Sequence, residues 1–312
     1  MDTRRRFLKS AAAGALGSFL PGLAMGDVEW KCEGDHLTLR SSLVHQPTRF
    51  LIAGDTHLAI EDDRDAEYFP MSKRMAQWPG NPKKFQKMIR KAEALHVDGL
   101  AILGDLVSFP AQAGIEFCYR ELSASKVKWM YIAGNHDWHY EGVPGTDDEQ
   151  RAKWISRLLP LYQGRDPMMY VEKIKGFRLV FIDNSTYQIS EKQLAFYREQ
   201  VATGDPLIVL CHIPLYFEGV SYDIAQCGHP QWGAATDGIW QIERRQKWPA
   251  GGATATTRTF CKEVFETPTL LGSFAGHIHV KTFSPYGDKR FMMTTPVATG
   301  GLHLDVLLLP KV

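Results

Sequence analysis

Five apolar runs in this chain each break off at a short segment of His, Asp or Asn. FLIAG leads into Asp55-Thr56-His57, LAIL into Gly104-Asp105, and WMYIA into Gly134-Asn135-His136-Asp137. LIVLC leads into His212, and LLGSFA into Gly276-His277-Ile278-His279. A short β-rich apolar run that stops at Gly or a polar residue reads as a buried strand entering a loop. Open α/β sheets bind ligands beyond the carboxyl ends of their strands. Five strands are therefore expected to bring metal-ligating side chains to one rim.

The segments between these runs fit that plan. Residues 82–96 have Pro near the start and apolar side chains at Phe85, Met88, Ile89, Ala92 and Leu95, the spacing of an amphipathic helix. Further helices are expected near 111–124, 147–159, 190–202 and 257–266. Additional strands are expected near 37–44, 168–174, 177–183, 278–284, 289–295 and 302–309, with Ser284-Pro285-Tyr286-Gly287-Asp288 as a turn. Strand and helix alternate in the first half, which implies a partly parallel sheet with right-handed crossovers. Residues 213–255 are irregular and hold Trp232, Trp240 and Trp248; a segment this long reads as an insertion or cap. The 312 residues show no internal repeat or linker, so 27–312 is expected to form one domain.

The first 26 residues read differently. Arg4-Arg5-Arg6, then a short apolar stretch and small residues near Gly22-Leu23-Ala24, form a twin-arginine export signal. The apolar stretch is too short for a membrane span. The expected partner is the twin-arginine export machinery, and the expected location is periplasmic or secreted. The segment carries Arg4, Arg5, Arg6 and Lys9 against Asp2, so without it the net charge falls from +1 to −2. A slightly acidic chain lacks the electrostatic footprint of a nucleic-acid binder. Of the five cysteines, Cys118 and Cys211 lie in apolar surroundings and read as core residues.

The donor set is Asp55, His57, Asp105, Asn135, His212, His277 and His279. Imidazole and carboxylate groups suit borderline divalent ions such as Mn, Fe or Zn. Seven donors exceed the needs of one tetrahedral zinc but suit two ions sharing a carboxylate, for which Asp105 is the candidate. Two divalent cations offset by Asp55, Asp105 and one hydroxide leave roughly +1, a charge that attracts a phosphoryl group. His136, beside Asn135, is placed to protonate a departing alkoxide.

The series DTH, GDLV, GNHD, H and GHIH resembles the calcineurin-like metallophosphoesterase superfamily, in that family's motif order. The resemblance implies an α/β fold, a four-layer αββα sandwich of two mixed β-sheets flanked by helices. It also implies one metal held by Asp55, His57, Asp105 and His279, and a second by Asp105, Asn135, His212 and His277, with His136 as the catalytic histidine. The expected activity is hydrolysis of small-molecule phosphomonoesters or phosphodiesters through a metal-bridging hydroxide, with His136 as general acid. GDLVSFP and IAGNHD lack the arginines of phosphoprotein phosphatases, and Ser108 and Phe109 occupy the region where purple acid phosphatases place a ligating Tyr. Trp138, His139, Arg244 and Arg245 are candidate substrate contacts. The alternative reading is a non-catalytic protein-binding module on the same fold, although such modules typically lose the donors that this chain keeps.

Overall fold

The computed structural model describes residues 28–76, 79–140, 142–221, 253–298 and 301–311. The expected export signal, most of the 213–255 segment, and Arg244 and Arg245 lie outside the described residues. Among the described residues no helix is long and apolar enough to cross a membrane.

Among the described residues twelve strands run β1 (Val28–Glu33), β2 (His36–Ser41), β3 (Thr48–Ala53), β4 (Gly99–Leu103), β5 (Trp129–Ile132), β6 (Met169–Ile174), β7 (Phe177–Ile182), β8 (Leu207–Leu210), β9 (Leu270–Ala275), β10 (Thr282–Tyr286), β11 (Arg290–Thr294) and β12 (Leu304–Pro310). They form two six-stranded sheets, ordered β1-β2-β12-β3-β4-β5 and β10-β11-β9-β8-β7-β6. Both are mixed. Strands β3, β4 and β5 are parallel in the first sheet, as are β7, β8 and β9 in the second. The helices are α1 (Phe69–Met75), α2 (Pro82–Ala94), α3 (Gln112–Ala124), α4 (Asp147–Tyr162), α5 (Glu191–Val201) and α6 (Ala255–Glu266).

Alternation along the strands explains why the sheets stack. In β7, Phe177, Leu179 and Phe181 join the core shared with the first sheet, while Val180 and Ile182 join the core beneath α5 and α6. Successive side chains on a strand point to opposite faces, so this strand is apolar on both. Each such side chain contributes about 1.5–3 kcal/mol on burial. Strand β4 is buried at every position, and α2 lays Phe85, Met88, Ile89 and Ala92 into the same core. This is the two-sheet sandwich flanked by helices that the motif series implies.

Side-chain caps open α2, α4, α5 and α6. The Asn81 side chain accepts from the N–H groups of Lys83 and Lys84 ahead of Pro82. Capping boxes open α4 (Thr146 with Glu149) and α5 (Ser190 with Gln193). Cys118 and Cys211 are buried thiols, as expected.

Three expectations need correction. Strand β1 was not anticipated, because VEWKCE leaves all but Val28 at least partly exposed and shows no strong apolar pattern. The strand expected at 278–284 begins only at Thr282, and its turn falls at 287–289. Pro285 lies inside β10 opposite Phe291, which is tolerated because β10 is an edge strand and needs no second ladder partner.

Candidate metal centre

All five anticipated segments lie at the carboxyl ends of parallel strands. Asp55 and His57 follow β3, Asp105 follows β4 and Asn135 follows β5; His212 follows β8, while His277 and His279 follow β9. The first sheet thus contributes four donors and the second three, across the seam between them.

The local backbone is unusual. Asp55 (φ 57°), His57 (47°), Asp105 (48°), His277 (73°) and His279 (60°) all occupy the left-handed region. Each such residue costs of order 1–3 kcal/mol and persists only where its surroundings hold it. Here the loops hold one another. The Asp55 N–H donates to the Gly104 carbonyl at 3.0 Å, His57 N–H to the Asp105 carbonyl at 2.8 Å, and Gly276 N–H to the His212 carbonyl at 2.9 Å. The β4 and β5 loops approach so closely that a methyl group on Gly134 would collide with the Asp105 carboxylate and backbone nitrogen. Glycine at 134 is therefore a packing requirement.

The donor atoms converge. Asp105 Oδ2 lies 3.3 Å from His212 Nε2 and 3.6 Å from His57 Nε2. His212 Nε2 is 3.0 Å from Asn135 Oδ1 and 3.2 Å from His277 Nδ1. On the other side His57 Nε2 is 2.9 Å from His279 Nε2, and His279 Nε2 is 3.5 Å from Asp55 Oδ1. The seven residues thus form two sets joined through Asp105. With metal–ligand distances of about 2.0–2.2 Å, donors on one ion sit roughly 3–4 Å apart. The observed separations fit that spacing, so this donor set can hold divalent metal.

The electrostatics agree. Asp55, Asp105 and Asp137 are all buried, and among the described residues no Lys or Arg pairs with any of them. Burial raises the Asp55 and Asp137 carboxyls above the ordinary range, and the neighbouring Asp105 adds to both shifts. For Asp105 the same burial is outweighed by His212, His136 and His57, which hold its pKa well down. Burial also lowers His57 and His277, and takes His279 down to about 4. Those rings are thus neutral, the form in which imidazole binds metal. His212 goes the other way, to about 9: burial would lower it, but Asp105, Asp55 and the Leu103 carbonyl prevail. Ionising these buried carboxyls together is costly with His212 as the cation beside them, and a bound metal would take over that role, keeping Asp55 and Asp105 as carboxylates and displacing the His212 proton.

His136 stands at the edge of this cluster and is half-buried. Its backbone N–H donates to Asp105 Oδ1 at 2.9 Å, and its Nδ1 lies 3.2 Å from the Ser108 carbonyl. Its ring stands edge-on to that of His57, with centroids 4.8 Å apart.

Two expected substrate contacts take other roles. Trp138 has no exposed surface; it belongs to the core and its indole N–H donates to Ser185 Oγ at 2.8 Å. An apolar ring following GNHD turns inward because the sandwich interior lies on that side. His139 is 5% exposed and its Nδ1 bonds the Asn135 carbonyl, so it braces the loop beneath a donor. Ser108 donates to the His57 carbonyl at 2.9 Å, and Phe109 is buried in the core.

The sequence reading missed Asp137 and the loop after β7. Asp137 accepts from Gly134 N–H at 2.8 Å and Val107 N–H at 3.0 Å, tying the β4 and β5 loops together. A sixth apolar run ending in Asp183-Asn184-Ser185 was the available signal for the other.

Comparison with known proteins gives concordant findings. The family model for calcineurin-like phosphoesterases matches residues 48–281. Similar folds occur in a dimetal phosphatase from Danio rerio (12% identity, covering 80% of this chain and 87% of that one, TM-score 0.50). They also occur in a purple acid phosphatase from yellow lupin (Lupinus luteus) seeds (15% identity, TM-score 0.51). That alignment covers 86% of this chain but 48% of the lupin enzyme. No curated protein matches this sequence. Since the family match spans all five strand-end segments, from Asp55 to His279, the chain belongs to the calcineurin-like phosphoesterase family.

Proposed function

We propose that this protein is an exported, metal-dependent phosphoesterase acting on small phosphate esters, with two divalent ions of Mn, Fe or Zn. The observation that carries this reading is the convergence of seven donors, from both sheets, around Asp105. Asp55, His57, Asp105 and His279 would hold one ion, and Asp105, Asn135, His212 and His277 the other. When bound, the ions supply positive charge that activates water and stabilises the phosphoryl oxygens as they acquire charge.

The chain's own groups do the rest. The neutral imidazoles and the Asn135 carboxamide leave the positive charge of the ions largely uncancelled, which favours an anionic ester. His136 is tethered through its backbone N–H to Asp105, so its ring is held in register with the centre. With Nδ1–H donating to the Ser108 carbonyl, Nε2 remains to carry a proton toward the leaving-group oxygen. Retention of all seven donors together with His136 favours an enzyme over a binding module on the same fold. The basic, apolar first 26 residues support export through the twin-arginine route to the periplasm or beyond.

The test is turnover of p-nitrophenyl phosphate and its bis ester by the full chain reconstituted with Mn, Fe or Zn. Metal-dependent hydrolysis of either ester is the expected result. Two tightly bound ions with no hydrolysis of any phosphoester would replace this reading with a binding function.

A further inference from the structure

Strand β7 ends on the same rim as β8 and β9, yet its loop, Asp183 to Tyr187, carries none of the seven donors. It touches two of them. Asn184 Oδ1 accepts from the backbone N–H of His212 at 3.2 Å and of Ile213 at 2.9 Å, and Asn184 Nδ2 donates to the Ile213 carbonyl at 2.7 Å. One carboxamide thereby fixes the backbone from which the His212 ring projects. Tyr187 Oη lies 3.1 Å from His277 Nε2, with the two rings edge-on. The other nitrogen of that ring, Nδ1, faces His212 within the cluster.

The loop is built to stay in place. Asp183 receives Arg151 at 2.6 Å, and Ser185 Oγ both donates to Asp183 at 2.6 Å and accepts from Trp138. Gln193 on α5 donates to the carbonyls of Met168 and Asp183. Tyr187 itself sits at φ 66°, a conformation rare for an aromatic residue, and its N–H closes a turn on the Asn184 carbonyl at 2.8 Å. The loop accepts that backbone cost while delivering a phenol to His277.

We infer that Asn184 and Tyr187 are positioning residues for the half of the centre formed by Asp105, Asn135, His212 and His277. Tyr187 Oη accepts the proton of His277 Nε2, which leaves the Nδ1 lone pair directed at a divalent cation. Asn184 holds the His212 peptide so that Nε2 meets the same cation, while Leu103 accepts from His212 Nδ1 at 2.7 Å. Partners on the outer nitrogen fix the tautomer and raise the basicity of a metal-binding imidazole, and their loss typically lowers metal affinity by about 10–100-fold. This inference rests on reading the cluster as a cation centre.

Calorimetric titration of the metal-free full chain with Mn²⁺ and with Zn²⁺ tests it, comparing the natural sequence with Tyr187→Phe. That change removes one oxygen and keeps the ring. The expected result is an affinity loss of about 10–100-fold for one of two ions, with the other ion and the circular dichroism unchanged. Two ions bound with undiminished affinity by Tyr187→Phe would overturn the inference and leave the cation centre standing. Failure of the natural chain to bind any ion would remove the cation centre itself. The tautomer has its own readout: a slowly exchanging His277 Nε2–H resonance is expected in the natural chain and its loss in Tyr187→Phe, whereas identical spectra count against the assignment. Asn184→Asp keeps the two accepted bonds and loses the donated one, so it should fall between the natural chain and Asn184→Ala in affinity.

Discussion

His136 and Asp105 are coupled through a backbone hydrogen bond, so the proposed proton donor is carried by the same carboxylate that links the two donor sets. Replacing the ring should therefore separate chemistry from binding. His136→Ala is expected to lower kcat by about 10²–10⁴-fold while the metal content per chain stays constant; equal rates with equal metal would remove His136 from the reaction. Gly134 makes a different kind of prediction. A methyl group there meets the Asp105 carboxylate and backbone, and relieving such overpacking costs about 1–3 kcal/mol. Gly134→Ala should lower the unfolding free energy by that amount, moving the denaturation midpoint down, and weaken metal binding with it. An unchanged midpoint would mean that the β4 and β5 loops do not meet as described.

Strand β12 shows what a single ion pair does for an element. Asp305 accepts from Arg49 Nε at 2.7 Å and Nη2 at 2.5 Å, and lies 3.1 Å from His36 Nδ1, so one carboxylate joins β12 to β3 and to β2. Burial alone would raise the Asp305 pKa, but Arg49 and His36 outweigh it and hold it below the ordinary 3.8. A carboxyl whose pKa is lower folded than unfolded contributes its stability above the unfolded value and loses it as pH falls through the folded value. Asp305→Asn is thus expected to cost about 1.5–3 kcal/mol at pH 7. Melting temperatures measured down the pH scale should converge with those of the natural chain below about pH 4; parallel curves would rule out the clamp. Elements like this also show what a sequence can reveal. The five strand ends were legible because each apolar run stops at a polar residue that has no structural reason to be there. The late start of β10 was hidden, since GHIHV has the composition of a strand and only the left-handed His277 and His279 break it. Asn184 and Tyr187 were hidden for another reason. Neither belongs to a recognisable ligand pattern, and their partners lie 29 and 90 residues away.

Across the whole molecule the donor set spans both sheets, so a bound ion couples them. Chelation is expected to abolish hydrolysis and lower the melting temperature together, and readdition of metal should restore both. A ligand at a hundred times its Kd adds about 2.7 kcal/mol of stability, enough to be read directly from a melting curve. A melt insensitive to chelator and to added metal would contradict a cation bridging the sheets. The sheet order has one more consequence. Strand β12 lies between β2 and β3, so an interior plank of the first sheet comes from far along the chain, with Asp305 256 residues beyond Arg49. A nascent chain emerging from the ribosome cannot finish that sheet in passing; β2 and β3 must wait, side by side but unjoined, until Leu304–Pro310 has followed them out.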